Sequence, residues 1–467
     1  MRDYSIHVSP IQFIAFKSID IDREINCHSR ATIVGYISDE MAEEYTAMLL
    51  RELWVAIEAV LDSGERELLM RGVVTEFSID HGAHNKELTL TIHSGSYLMD
   101  VEEHFRTFQN GDISYADLLS ILDEGYPDAD HIGAKLAAEP IGDFLMQYKE
   151  TDWKFIKRVA SRLQYHISPA DRHTGARYYF GLKEGTQIQF PDYAKYTANK
   201  FVSDYMIKKR SKEINLLEND CLEFTVTSRD IYRIWDKTIM LERFPVYIYK
   251  IESRYTQEEL LHHYYMRTAD GLSMLRAYNQ PASGCSFEAK VKEIKQDLVR
   301  IDVLGDENTK QQVTKWFKYS TVYSTPDGTG WYCMPEKGDT VRLHIPSKRE
   351  YDGYVISSVH LDVTGGDRQN PDHKSIMNKY RKEILFTPDK LRLTNNKGIT
   401  VEIVDQEGVR IVSNKAIHIK AKDSVTISSE RSYMTVAGTD SVTIKQSGAS
   451  VHMDDDISFI GGEFRIQ

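Results

Sequence analysis

Long apolar runs are absent from this sequence of 467 residues. No stretch approaches the roughly 20 apolar residues that a helix needs to cross a bilayer. Residues 1–8 alternate like a strand and do not form the apolar core of a secretion signal. We therefore expect a protein that is made and kept in the cytoplasm, unless a larger machine carries it out.

Cysteine is also scarce, and acidic residues outnumber basic ones, 70 to 58. The four cysteines, Cys27, Cys221, Cys285 and Cys333, lack the paired spacing of a zinc site or a redox motif. The formal net charge is -12 and no basic patch interrupts it, which argues against nucleic acid as a direct partner. An apolar content of 41% is typical of a folded protein, and the length allows about three domains.

Catalytic motifs are missing as well. Residues 258–263 lack the His-Glu-x-x-His order of zinc proteases, and we interpret them as the polar face of a helix near 258–274. Residues 80–84 offer metal-ligand types, but a solvated hairpin loop is the preferred interpretation. No Gly-rich phosphate loop, nucleophile elbow or distinct carboxylate pair stands out. The sequence thus predicts no catalytic residue and no cofactor.

A short regular period dominates the sequence after about residue 386. Apolar-polar-apolar triplets at 409–411, 417–419 and 425–427 begin eight residues apart. After one extra residue the pattern resumes at 434–436 and 442–444, with turn-forming residues such as Gly408 and Gly438 between triplets. Alternation of this kind with β-branched residues predicts short strands.

Eight residues supply one strand and one turn, which is a single face of a solenoid. A coil made by one chain needs about 20 residues or more, whereas three identical chains around an axis can close a triangular prism. We therefore predict a trimeric, intertwined β-helix. Its axis would be lined by Val409, Ile411, Ile417, Ile419, Val425, Ile427, Val442 and Ile444. A meander or a β-sandwich is the alternative, although it would leave long unpaired edges.

The rest of the chain is predicted to be mainly β with a few helices. Strand-like alternation fills residues 1 to about 110, apart from a helical stretch near 40–62, and returns from 177 to about 249. Ser114 and Asp117 have the spacing of a capping box, and a second helix follows Thr151. Residues 287–359 have the pattern of a small closed barrel of five short strands, of the oligonucleotide/oligosaccharide-binding (OB) type.

This order of parts resembles the hub-spike proteins of contractile injection machines. These machines include contractile-tailed phages, R-type bacteriocins, extracellular injection particles and the type VI apparatus with its VgrG protein. Residues 147–158 are similar to the family's tyrosine-glutamate-x-aspartate element ahead of a helix that ends in an arginine. Residues 105–109 are similar to an arginine-serine-phenylalanine-glutamine segment, with Thr107 in place of the serine. Residues 330–341 are close to a glycine-tryptophan, proline, glycine-aspartate, valine pattern.

The resemblance implies an architecture. Residues 1–280 would be a hub of two β-modules with a helical insert at about 112–166. An OB barrel would follow at 285–362, a linker at 363–385 and the trimeric β-helix spike at 386–467. The motif residues are interpreted as scaffolding, with Thr151 as a helix cap, Trp331 in the barrel core, Pro335 at a turn entry and Gly338 in the turn.

The resemblance also implies a structural function without enzyme activity. A homotrimer would join tail tube and baseplate proteins to a membrane-piercing needle and meet the target membrane transiently. A PAAR-like tip protein and effector cargo are further candidate partners. Assembly is expected in the bacterial cytoplasm, as part of a secreted or extracellular phage tail-like particle.

Enzymatic members of the family provide the rival hypothesis, a trimeric cell-wall or polysaccharide-degrading enzyme on a β-stalk. Such members carry a lysozyme domain between barrel and prism or an effector after the prism. Here the gap from Val359 to about Ile384 is too short for an enzyme domain, and the chain stops at Gln467. At the tip, Asp454, Asp455 and Asp456 are candidates for a structural cation, with a solvated charged turn as the alternative.

Overall fold

The structure is a computed structural model that describes residues 4–61, 63–81, 86–133, 138–181, 185–191, 194–211, 213–359, 369–446 and 449–453. The chain divides into two compact units, Met1–Leu361 and Asp362–Gln467. None of the described helices is long and apolar enough to cross a membrane.

The first β-module contains six strands and one helix. These are β1 (Tyr4–Ser9), β2 (Ala15–Glu24), β3 (Arg30–Ile37), α1 (Ala42–Leu49), β4 (Trp54–Leu61), β5 (Arg66–His81) and β6 (Lys86–His93). The helix predicted near 40–62 is therefore wrong in its second half. The apolar residues after residue 53 fit the spacing of a helix as well as that of a strand. They form a strand because β1 and β5 pair with this segment on either side.

The insert between the modules contains the two predicted helices. Its elements are β7 (Glu103–Phe108), α2 (Tyr115–Asp123), β8 (Asp130–Gly133), β9 (Leu145–Thr151), α3 (Asp152–Arg162), β10 (Ile167–Pro169) and β11 (Arg177–Phe180). The predicted capping box is confirmed, because the Asp117 backbone N–H donates to Ser114 Oγ over 3.0 Å and the Ser114 N–H donates to the Asp117 carboxylate.

The second β-module contains five strands and two helices. They are β12 (Tyr196–Lys200), α4 (Val202–Arg210), β13 (Leu222–Ser228), β14 (Lys237–Met240), β15 (Phe244–Thr256), β16 (Glu259–Arg267) and α5 (Ala269–Leu272). The helix predicted near 258–274 is wrong, since most of that stretch forms β16. His262, Tyr264 and Met266 face the core while the residues between them are partly exposed, which is the two-residue period of a strand paired with β15.

One sheet joins the two modules. Its strand order is β1-β4-β5-β6-β3-β2-β15-β16-β13-β12, and β14 pairs with β15. Strands β2 and β15 form the seam, with Glu24 opposite Lys250 and Ile19 opposite Tyr255. Each module keeps its own apolar core, one around Ile33 and the other around Phe224.

The OB-type barrel follows the hub. Its strands are β17 (Ser286–Lys295), β18 (Leu298–Val303), β19 (Phe317–Lys318), β20 (Thr340–His344) and β21 (Tyr354–Ile356). They pair in the order β19-β18-β17-β20-β21, and a parallel bridge between Tyr319 and Val355 closes the ring. This order, with its parallel closure, is that of an OB fold, so the predicted barrel is confirmed.

The predicted core position of Trp331 is wrong. Trp331 lies in the long loop between β19 and β20, where its N–H donates to Tyr323 O over 2.8 Å, and 56% of the residue is exposed. Aliphatic side chains and Phe317 already fill the barrel interior. Gly338 is a turn residue, as predicted, since its φ of 95° favours glycine.

The second unit is built of short antiparallel strands. They are β22 (Lys374–Met377), β23 (Glu383–Phe386), β24 (Lys390–Thr394), β25 (Ile399–Val404), β26 (Gly408–Ser413), β27 (Val442–Gln446) and β28 (Ala449–Met453). Strands β22 to β26 form a meander, and β27 and β28 form a hairpin. The stretch predicted to be a linker thus holds β22 and most of β23, because the turn at 378–382 brings them into register.

The middle triplets of the repeat behave differently from these strands. In the described stretch 414–441, which includes the triplets at 417–419 and 425–427, no residue is assigned to a strand within the single chain. Their apolar residues are exposed there. A three-residue strand without a neighbour has no ladder of backbone hydrogen bonds to hold it.

Candidate functional site: the polar junction between hub and barrel

The two hub segments that carry the family resemblance lie side by side. They form the two-stranded ladder of β7 and β9, in which Arg106 pairs with Gln147 and Phe105 with Tyr148. Thr151, the last residue of β9, caps α3, and its Oγ1 accepts the Lys154 N–H over 3.3 Å. The segments therefore act together, although about 40 residues separate them in sequence.

A first polar group fixes β7 to the start of α3. The Asp152 carboxylate is fully buried, and its Oδ1 accepts from Arg106 Nη1 over 2.5 Å and from Gln147 Nε2 over 2.8 Å. The Tyr126 hydroxyl donates to its other oxygen over 2.9 Å, and burial together with this carboxylate raises the pKa of Tyr126. A buried charge with this many donors is compensated, so Asp152 is a structural anchor as well as the first residue of the helix.

A second polar group links the hub to the barrel. The Arg158 guanidinium on α3 is buried, and it donates to Glu150 Oε1 over 2.8 Å and to Glu350 Oε1 over 2.6 Å. It also donates to Met146 O over 2.7 Å, and Asn279 Nδ2 donates to Glu150 Oε2 over 3.2 Å. Glu350 belongs to the barrel, in the 3-10 turn before β21. One arginine thus binds one carboxylate from each side of the junction.

Burial and charge oppose each other in this group. Burial raises the pKa of Glu150, while Arg158 acts to lower it. Burial acts to lower the pKa of Arg158, but the carboxylates of Glu350 and Glu150 outweigh it and raise that pKa. The guanidinium therefore stays charged, and removing it would leave two carboxylates in a site that cannot solvate them.

The outer edge of β7 holds a loop of the barrel. Thr107 N donates to Asp306 Oδ1 over 3.0 Å, and the Thr107 hydroxyl donates to the same carboxylate. Gln109 N donates to Gln311 Oε1 over 2.9 Å. His104 Nδ1 lies 2.7 Å from Glu307 Oε2. Threonine at position 107 keeps the hydroxyl that this contact uses.

One side-chain arrangement resembles a hydrolase triad but has no access to substrate. His28 Nδ1 lies 2.9 Å from Ser96 Oγ, and His28 Nε2 lies 3.3 Å from Asp100 Oδ2. Ser96 is 0% exposed, and the His28 ring packs on Trp153 with centroids 4.5 Å apart. A nucleophile needs an open face for the reacting carbon, so this group joins the first module to α3 and performs no acyl transfer.

The residues predicted to line the trimer axis are largely exposed in the single chain. Ile417 and Val425 are just over half exposed, and Ile419 is 72% exposed. Their place on an axis stays a prediction, because one chain is described. The candidate cation site at Asp454, Asp455 and Asp456 lies outside the described residues, as do residues 82–84 of the loop considered for a metal. Among the described residues, no group of three or more His, Cys, Asp or Glu side chains could hold a metal ion.

Sequence comparison gives one family match. Residues 26–168 match a family described as "Phage tail baseplate hub (GPD)". This stretch runs from the first module through both motif segments and α3 to β10. No curated protein matches the sequence.

Structural comparison extends the likeness over most of the chain. The E. coli c3393 protein is described as a component of the type VI secretion system with structural similarity to the T4 bacteriophage tail proteins gp27 and gp5. It matches with a TM-score of 0.50 and 13% identity, covering 76% of this chain and 100% of its own. A chain of the lidless PdpA-VgrG complex matches with a TM-score of 0.59 and 10% identity, covering 88% and 98%. A chain of the half-lidded Francisella PdpA-VgrG complex gives 0.56 and 10%, covering 88% of each.

Proposed function

We propose that this chain, a VgrG-like hub-spike protein by its fold and by the baseplate-hub match of residues 26–168, is the structural hub and spike of a contractile injection machine. The observation that carries the proposal is the hub–barrel junction. There, a family-like motif binds the hub to the OB barrel through Arg158, Glu150 and Glu350.

The second unit supports a homotrimer. Directly opposite residues in an antiparallel sheet lie on the same face, and Leu391 stands opposite Ile403, which stands opposite Val409. The resulting apolar face consists of Ile376, Ile384, Phe386, Leu391, Leu393, Ile399, Val401, Ile403, Val409 and Ile411. A face of ten apolar side chains is larger than a soluble monomer usually exposes, and two further copies of the chain would cover it.

The opposite face of the same meander is mixed, with ion pairs beside Met377, Leu385, Val404 and Val412. Arg392 lies 3.2 Å from Glu383, and Arg410 lies 3.8 Å from Glu402. The glutamate side chains of these pairs are only 11% and 15% exposed. This face therefore carries both ion pairs, whereas the first face is mainly apolar.

The remaining partners follow from the proposed role. The hub would contact tail tube and baseplate proteins, and the spike would carry a PAAR-like tip protein or effector cargo and meet the target membrane briefly. Assembly would take place in the bacterial cytoplasm before release of the particle. Asp454, Asp455 and Asp456 are proposed to hold a structural cation at the tip, with no other cofactor.

Light scattering on the purified full-length chain tests the assembly. Three chains of 53.8 kDa give 3 × 53.8 = 161.4 kDa. A stable species of 53.8 kDa at micromolar concentration would refute the trimeric spike.

A cell-wall zymogram tests the rival enzyme hypothesis. The purified chain should leave peptidoglycan and polysaccharide gels unchanged, because Ser96, the nucleophile of the one triad-like group described above, is buried. A cleared band that survives in a Ser96→Ala variant would point to a hydrolase site elsewhere and would overturn the purely structural role.

A further inference from the structure

A polar cavity of about 360 Å³ lies at the seam of the hub. Its wall combines the first module, through Arg23 and Glu67, the segment after β10, through Arg172, and the second module, through Arg233 and Trp235. Its volume falls in the roughly 300–1,000 Å³ range of small-molecule sites. The junction with the barrel uses none of these residues, so the cavity is a separate feature.

The cavity wall contains three guanidinium groups, of Arg23, Arg172 and Arg233, and three carboxylates, of Glu24, Glu67 and Asp171. Arg172 Nη2 and Arg233 Nη2 both approach the same oxygen, Glu67 Oε1, at 3.1 and 3.0 Å. Arg23 is 7% exposed, and its two Nη atoms donate to Leu69 O and Ser253 Oγ. Its buried Nε has no partner among the described residues. An unpaired donor at this depth costs free energy unless a ligand or water accepts from it.

The other acidic groups of the wall, Glu24 and Asp171, differ in their surroundings. Asp171 accepts the Ser29 hydroxyl over 2.8 Å, which occupies one of its oxygens. Burial raises the pKa of Glu24 and so disfavours its charged form. Arg172 and Arg233 share Glu67, and the contact uses only one of the five N–H donors of each guanidinium.

The aromatic part of the wall is held in an unfavourable backbone conformation. Trp235 has a φ of 77°, a region that bulky residues rarely adopt. It is fixed there because its N–H donates to Ile248 O over 2.8 Å and its indole Nε1 donates to Ser168 Oγ over 3.3 Å. Strain of this kind persists where the surroundings over-determine it, and it is concentrated at ligand sites. Tyr179 and Tyr232 complete this side of the cavity.

We infer that this seam cavity binds a small organic anion, whose single carboxylate or phosphate meets Arg172 and Arg233 and whose flat apolar body lies against Tyr179 and Tyr232. Bound there, the anion would touch both β-modules and the insert at once. The inference goes beyond the structural role proposed above and does not depend on it.

Calorimetric titration of the full-length protein at pH 7 tests the site with benzoate, phenyl phosphate, acetate and inorganic phosphate. We expect one site per chain, with benzoate and phenyl phosphate binding more tightly than acetate and inorganic phosphate. The stronger of the two aromatic probes identifies the preferred charged group. Absence of saturable binding for all four probes at millimolar concentration would overturn the inference.

Three variants separate binding from structure. Arg233→Gln removes a donor and should weaken binding about tenfold, the usual effect of one charge-assisted hydrogen bond. Glu67→Gln removes the internal competitor for two arginines and should tighten binding by a similar factor. Arg66→Gln is the matched control, since Arg66 lies next to Glu67 on β5 but pairs with Glu58 at 3.0 Å and does not line the cavity.

The two substitutions should change the affinity for the probes in opposite directions, weaker in Arg233→Gln and tighter in Glu67→Gln, which makes the outcome decisive. A merely structural role for these residues would move all binding constants in the same direction, or not at all. Equal affinities in Arg233→Gln and Arg66→Gln would refute the site. Because Arg233 is half exposed, its substitution should leave the melting temperature without probe close to that of Arg66→Gln.

Discussion

The hub sheet and the spike repeat use the same alternation of apolar and polar residues and bury them differently. In the hub, Ile33 and Leu90 are 0% exposed, because they pack into the apolar core of the first module. In the second unit, Ile411 is 58% exposed within a strand, and Ile419 is exposed where no strand is assigned. A two-residue period therefore specifies strands and an apolar face, but it does not specify whether the covering layer comes from the same chain.

A charge on the proposed axis should produce the largest effect. Ile419→Asp would place three carboxylates together in the trimer, each costing several kcal/mol when buried unpaired. We expect loss of the 161.4 kDa species in light scattering, while the far-ultraviolet dichroism of the hub strands persists.

The contrast with the hub sharpens this test. Ile33→Asp places one charge per chain in the core of the first module and should unfold the hub instead. If Ile419→Asp assembles and melts like the wild type, Ile419 does not face an axis and the difference between the two regions has another cause.

Removing the arginine of the junction should have the next largest effect. Arg158→Met leaves Glu150 and Glu350 buried without their shared cation, which should cost about 3–5 kcal/mol. Denaturant unfolding of the full chain measures the loss. Lys292→Met is the control, because the Lys292–Asp302 pair at 2.9 Å is about half exposed on both sides and should contribute less than about 1 kcal/mol. Equal losses would mean that the junction is not held by this group.

Acidification should weaken the hub by a smaller amount. Burial lowers the pKa of His262 to about 3 and that of His166 to about 4. Because these folded-state values lie below the unfolded value near 6.5, their contribution is complete above pH 6.5 and is lost as the pH falls toward 4. For His262 alone the loss at pH 5.5 is roughly 1 kcal/mol.

Unfolding free energies between pH 7 and pH 5 measure this loss. The His262→Gln variant, which has no titrating ring, should have a shallower pH dependence than the wild type. Parallel pH profiles for the two proteins would show that His262 is protonated equally in the folded and unfolded states.

Substitutions on the outer face of the repeat should have the smallest effect. His418→Lys and Thr426→Lys lie at the middle of their triplets and should change stability by about 0.5 kcal/mol at most. Val425→Ala and Ile427→Ala remove apolar volume that recurs three times around an axis, so they should be several times more damaging. Melting of the four trimers decides between the models, since equal sensitivity would indicate a sandwich packed on both faces.

The sequence predicted those elements whose local signals agree with one another. The capping box at Ser114, the helix after Thr151 and the small barrel at residues 287–359 were all expected from the sequence pattern. The helix prediction was wrong for residues 259–267 because their apolar residues fit the spacing of a helix as well as that of a strand. Pairing with β15 makes this segment a strand. The prediction that Trp331 lies in the barrel core was wrong, because a motif match does not show whether an aromatic ring points into the barrel or lies in a loop.

The hub–barrel junction and the seam cavity bring together residues that are far apart in the sequence, so local sequence spacing does not predict them. The motif segments indicated that residues 105–109 and 147–158 matter, but not that Arg158 would bind Glu350 on the barrel. The seam cavity draws on residues 23, 67, 172 and 233, which no local pattern connects. One residue of the cavity does stand out in the sequence. Arg23 occupies a position of β2 at which the alternation predicts an apolar core residue.

The lack of paired strands in 414–441 has a kinetic consequence. A hub whose strands pair within one chain can fold by a first-order process while synthesis continues, whereas a repeat whose pairing partners are other chains must wait for a collision. Under the proposed assembly, the folding time of the needle would depend on protein concentration and that of the hub would not. Already folded hubs that associate first would raise the local concentration of their trailing segments, so that the last step becomes a rapid zippering within one complex.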